Sequence, residues 1–159
     1  MADPALLIML GSFIMAWSLI EAAIEVGIGK QLGTKPLETS IVTAGLMFRA
    51  RASILVSLLN RDHVKNAEAI RLLKEVENIE DRNDIMHSVI GGSITQIWFN
   101  RRKTKRKFTS KIEYYDQIRM NSLVLNTADI SAQLMKALDI SKEDYLAFFH
   151  DSHNAANNC

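Results

Sequence analysis

From Ala5 to Ile20 the chain is almost wholly apolar, and Glu21 and Glu25 follow on the same helical stretch. A helix needs about 20 apolar residues to cross a bilayer core, so the two carboxylates are expected to cut this run short and send it into a folded core. No basic segment precedes it and no clean small-residue cleavage site follows, which argues against an export signal. Asp3 is placed to cap the helix and Pro4 to occupy its first turn, while Gly27, Gly29 and Lys30 suit its end. Glu21 and Glu25 stand four apart, so at least one faces an interior or a partner subunit and needs a countercharge. Arg49, Arg51 and Arg82 are the candidates.

With 159 residues, 48% of them hydrophobic and 23% charged, the chain can bury a core of its own as one domain. A single helical domain is expected over 1–150, with an insertion at about 91–109 and a flexible tail at 151–159. The net charge is only +1, so attraction for nucleic acid must come from local clustering. The sole cysteine, Cys159, excludes an internal disulfide framework and fits a reducing, cytoplasmic setting without a membrane partner. It stands last rather than four from the end, where a prenylation signal would need it.

Helical spacing organises the rest. Pro36 opens a second helix to about Asn60, with Ile41, Ala44, Met47, Ile54, Leu55 and Leu58 recurring along one side. A tight turn at Asn60-Arg61-Asp62 returns a third helix, capped by Asp62, with Ala69, Leu72, Leu73, Val76 and Ile79 on one face and its end before Gly91-Gly92. Ile94 to Phe108 has no helical period and reads as a β-hairpin or long loop around the basic run Arg101, Arg102, Lys103, Lys105, Arg106 and Lys107. Ser110 and Glu113 have capping-box spacing for a fourth helix bearing Ile118, Leu125, Ala128, Ala132 and Met135, and Ser141 with Asp144 does the same for a short last helix. The expected fold class is therefore all-α, an up-down four-helix bundle with a β-hairpin or long loop between helices three and four.

The chemistry concentrates at Arg82-Asn83-Asp84-Ile85-Met86-His87. An imidazole titrating near neutral pH can move the proton of a 2′-hydroxyl or of a leaving oxygen. A guanidinium offers a planar fork to the charge that builds on a phosphate. Asn83 and His87 share a helix face, so the amide can orient the ring or hold a phosphate oxygen. Arg82 lies about 140° around the helix from His87, and the two converge only through a long arginine reach or a second subunit. Asp84, together with Glu21, is the carboxylate available to steady Arg82.

Arg82 followed by a polar residue, with His87 after four intervening residues, resembles the signature of HEPN domains, an all-α nucleotide-binding and RNA-cleaving superfamily of toxins and host-defence proteins. The order of elements resembles it too. The resemblance implies a motif near the end of the third helix of a four-helix bundle, with two copies meeting in a homodimer. It implies RNA cleavage through the 2′-hydroxyl to a cyclic phosphate, with His87 as acid or base, Arg82 on the phosphate and Asn83 positioning the substrate. No metal or other cofactor is then needed, and a cognate inhibitor protein is a natural partner.

The same residues also fit plainer arrangements. His87 can cap a helix C-terminus while Arg82 pairs with Glu80, Asp81 or Asp84. The basic run can be a solvated hairpin tip or an import signal. Trp98, Phe99 and Phe108 can stack bases or pack the hairpin onto the helices, and packing is the expectation for them. A non-catalytic, dimeric RNA-binding or protein-binding bundle is the alternative function. A di-iron centre is set aside because Asp84 and His87 form one acidic-x-x-His pair with no second.

Overall fold

The first helix begins where the sequence places it: Asp3 Oδ1 accepts a hydrogen bond from the Ala5 backbone N–H at 2.9 Å, and α1 runs Pro4–Leu32. It outlasts Gly27 and Gly29 and ends at Gly33, whose φ of +65° costs a glycine little. A computed structural model describes residues 3–79, 85–86, 88–103 and 109–157. Among them are six helices and one three-stranded antiparallel sheet, so the protein is mostly helical. The chain divides into two compact units, Met1–Ala16 with Asn78–Ala128, and Trp17–Glu77 with Asp129–Cys159.

The second unit is helical throughout. The expected long helix after Pro36 is two helices, α2 Pro36–Thr43 and α3 Phe48–Leu59. Gly45 lies in the break, where helix is weakest, and Met47 is extended ahead of α3. Leu55 and Leu58 are buried as expected, but Ile41 and Met47 are exposed because the break changes the phase of the apolar face. A short 3-10 turn at Asn60–Asp62 leads to α4, Ala67–Glu77, which buries Ala69, Leu72, Leu73 and Val76. Asp62 belongs to that turn rather than to the helix cap, and Asn66, whose carbonyl accepts from Ile70, stands at the helix start.

The two acidic residues of α1 are satisfied inside this unit. Glu21 accepts from Trp17 Nε1 at 2.8 Å and from Arg51 Nη2 at 3.1 Å, and Glu25 accepts from Thr43 Oγ1 at 2.9 Å. With those groups paired, Trp17, Ile20, Ile24, Val26 and Ile28 are buried. By length and composition alone α1 could also cross a membrane, and 44% of its most apolar window is buried.

The first unit holds the sheet, β1 Val89–Gly92, β2 Ile97–Lys103 and β3 Thr109–Tyr115, in the order β1-β2-β3. Ser110 and Glu113 therefore lie in a strand, not at a helix start. The helix α5, Gln117–Ala137, begins after Asp116, whose Oδ1 accepts from the Arg119 backbone N–H at 2.8 Å. Its buried face is Met120, Leu123, Thr127, Ile130 and Leu134, leaving Ile118 and Leu125 exposed, so the apolar face expected from the sequence is rotated. Gly91 and Gly92 lie within β1 instead of breaking a helix. The last helix, α6, opens with the expected Ser141–Asp144 box and continues through Lys142–Asn157, so the tail expected after residue 150 is helical to that point.

Gly29 of α1 lies so close to α2 and α6 that an added Cβ would sit 2.9 Å from Thr39 Oγ1 and 3.3 Å from Phe148 Cε2. Gly29→Val should lower unfolding free energy by about 1–3 kcal/mol through overpacking. Gly11, mid-helix with nothing within 4 Å, should behave oppositely: Gly11→Ala should add about 0.5–1 kcal/mol. Urea unfolding of both variants checks the pair, and equal shifts would contradict this packing.

Candidate nucleic-acid interface

In an antiparallel sheet, directly paired residues point to the same side and sides alternate along each strand. The register places Ile97 opposite Tyr115 and Phe99 opposite Glu113 on one side. Ile97, Phe99 and Tyr115 are fully buried, and the rings of Phe99 and Tyr115 meet edge to face with centroids 5.1 Å apart. This is the covered face.

The other side is built of Gly91, Trp98 and Tyr114 in one row and Val89, Asn100 and Ile112 in the next. Tyr114, Val89 and Ile112 are about half exposed, and Trp98 and Asn100 are partly exposed. A Cβ built on Gly91 would fall 2.0 Å from Trp98 Cζ2, so the indole lies directly over the glycine backbone. Asn100 is held across the hairpin by Ser110, whose Oγ donates to its Oδ1 at 2.6 Å. The expectation that the aromatics pack the hairpin down thus splits: Phe99 packs, Trp98 stands on the open face, and Phe108 lies outside the described residues.

The basic run begins inside β2. Arg101, Arg102 and Lys103 are its last three residues, paired with Lys111, Ser110 and Thr109. Arg101 is half-buried and engaged in contacts of its own. Lys105, Arg106 and Lys107 lie outside the described residues, as do Arg82, Asn83, Asp84 and His87 of the candidate catalytic segment. Ile85 within that segment is buried and Met86 exposed. Ser88, directly after His87, has an enclosed Oγ that makes no hydrogen bond among the described residues. Val89 pairs with Asn100, the residue before Arg101. Glu21, proposed to steady Arg82, is engaged with Arg51 and Trp17 in the helical unit.

At the foot of the hairpin, Glu113 takes Lys111 Nζ at 2.8 Å and Arg119 Nη1 at 3.3 Å, while the Arg119 guanidinium sits 3.9 Å above the Tyr115 ring and donates to the Tyr114 carbonyl at 3.0 Å. The Lys111 ammonium, and after it Arg119, hold the Glu113 carboxyl below its ordinary value of 4.5. Among the described residues no group of three His, Cys, Asp or Glu could hold a metal ion.

Sequence reasoning misses Ile112 and Tyr114 because Ser110 and Glu113 at capping-box spacing suggest a helix, takes Gly91 for a helix end, and does not single out Asn100 within the hairpin stretch. The available signal was the second β-rich run, Thr109 to Tyr115, matching Ile97 to Lys103 in length across a basic turn. The chain matches no protein-family model, no curated protein and no solved structure.

Because the folded Glu113 carboxyl is depressed, its ion pairs stabilise the protein fully above pH 4.5 and that contribution disappears as pH falls below this value through the folded pKa. Glu113→Gln should therefore show a flatter decline of melting temperature over that acid window than the parent. Parallel curves would show that the clamp on Arg119 contributes nothing.

Proposed function

We propose that this protein binds RNA through its hairpin and cleaves it, without a metal, at Arg82 and His87. The observation that carries the reading is the register of β1. The chain leaving His87 joins the sheet with Val89 beside Asn100, immediately ahead of Arg101. Ser88 and β1 thus enter the sheet at the end where β2 runs into Arg101, Arg102 and Lys103, and the reading puts catalysis beside that end. Cations there neutralise backbone phosphates, a sequence-independent attraction that weakens as salt rises. In this reading the His87 imidazole supplies the proton transfer for 2′-hydroxyl attack, with the Arg82 guanidinium on the phosphate and Asn83 positioning it.

The resemblance of Arg82, Asn83 and His87 to the HEPN signature supports the cleaving step, and with it the finer architecture of a four-helix bundle carrying the sheet as its insertion. A homodimer in the cytoplasm belongs to the same reading; Leu7, Ile8, Ile14 and Met15 form an exposed apolar stripe on α1 that a second copy would cover. A second reading, RNA binding without cleavage, draws on the open aromatic face of the sheet, which binding needs and cleavage does not.

The purified protein and its His87→Ala variant, incubated with mixed RNA in excess EDTA, separate these readings. The parent should release products with 2′,3′-cyclic phosphate ends, and the variant should be at least about 100-fold slower with an unchanged melting temperature. A folded variant with full activity would remove His87 from the chemistry, and binding without products would leave the second reading. Replacing Arg101, Arg102 and Lys103 with glutamine should weaken RNA binding and flatten its log K against log salt slope by about 2. An unchanged slope would place the phosphates elsewhere.

A further inference from the structure

We infer that the open face of the sheet is a stacking site for unpaired RNA bases, with Trp98 and Tyr114 as its platform and Asn100 as a donor to base edges. The inference rests on the RNA-binding part of the function proposed above and is independent of cleavage.

Trp98 and Tyr114 are directly paired across β2 and β3, which brings their Cβ atoms to about 4.5–5.5 Å, with the indole reaching over Gly91 of β1. They have no place in the hydrophobic core. Ile97, Phe99 and Tyr115 fill the covered side at zero exposure, while Tyr114 keeps 54% of its surface open to water. Trp98 is nonetheless held in position, since its ring rests on Gly91 where any side chain would collide with it. A large ring kept flat on an open sheet, beside a second exposed ring, presents π-faces that bases of any sequence can stack on.

Charge identifies the occupant. Glu113 is the one acidic residue in the three strands. It lies on the covered side, paired with Lys111 and Arg119. The open face thus carries no carboxylate, and β2 continues from it into Arg101, Arg102 and Lys103. A polyanion whose bases are splayed apart meets aromatic surface in the middle and cations at one end. Duplex RNA, with its bases stacked inside, cannot use the platform. Asn100 adds a polar contact: Ser110 occupies its Oδ1, and its amide N–H groups, which make no hydrogen bond among the described residues, can donate to a base carbonyl.

Fluorescence tests this directly, because Trp17 is 2% exposed and Trp98 is the only other tryptophan. A short single-stranded oligouridine titrated into the full-length protein should quench the emission, and a duplex of equal length should compete poorly. Tyr114→Ala should weaken oligouridine binding about tenfold without changing the salt slope, Tyr114→Phe should bind as the parent does, and Gly91→Val, which displaces the indole, should match the loss. Circular dichroism checks that each variant folds. If folded Tyr114→Ala binds as tightly as the parent while the glutamine-substituted hairpin weakens, the stacking site is wrong and RNA binding stands. Equal affinity for duplex and single strand also overturns the stacking site. If the parent binds neither RNA at low salt, the RNA-binding reading itself fails, and the face is left to a protein partner.

Discussion

Strand β2 has two different neighbourhoods, and the pleat assigns its residues to them alternately. Ile97 and Phe99 turn inward and vanish from solvent, while Trp98 and Asn100 turn outward between them. A shift of one residue in register would expose Phe99 and bury Asn100, so the burial of the inner pair fixes what the outer face presents. The strand then runs into cations, and β1 joins it at Asn100 directly after the segment that holds Arg82 and His87. The open face and the cationic end of β2 are thus ordered along one strand by its hydrophobic side.

The helical unit answers a different constraint. Its first helix is apolar enough to be costly in water, yet it carries two carboxylates. Arg51, Trp17 and Thr43 pair them at 2.8–3.1 Å, and pairing of that kind is what lets acidic residues sit among the buried side chains of the helix's C-terminal half. The N-terminal part of the same helix belongs to the unit with the sheet and keeps Leu7, Ile8 and Met15 exposed. Sequence hydropathy registers both parts equally; only the placement of partners tells them apart.

Much of this was legible in the sequence. Asp3 and Pro4, the Asn60 turn, the buried stripe of α4 and the Ser141–Asp144 box are local devices whose residues sit close together, and they formed as their chemistry dictates. The hairpin was legible by its lack of helical period. What failed depended on pairing across distance. Ser110 and Glu113 have the spacing of a helix cap, but Asn100 and Lys111 satisfy them in a strand. The face of α5 was misjudged because Ile118 and Leu125 are as apolar as Met120 and Leu134, and only packing chooses between two apolar stripes. Gly91 looked like a helix breaker, since its reason for being glycine is a tryptophan seven residues away. The candidate catalytic residues were found by chemistry and spacing alone.

The most direct measurement is ultraviolet cross-linking of single-stranded RNA to the full-length protein, with the attached residues mapped by mass spectrometry. The account predicts adducts on Trp98 and Tyr114 and along the Arg101 to Lys107 hairpin. Adducts concentrated on the exposed stripe of α1, or in the helical unit, would contradict it.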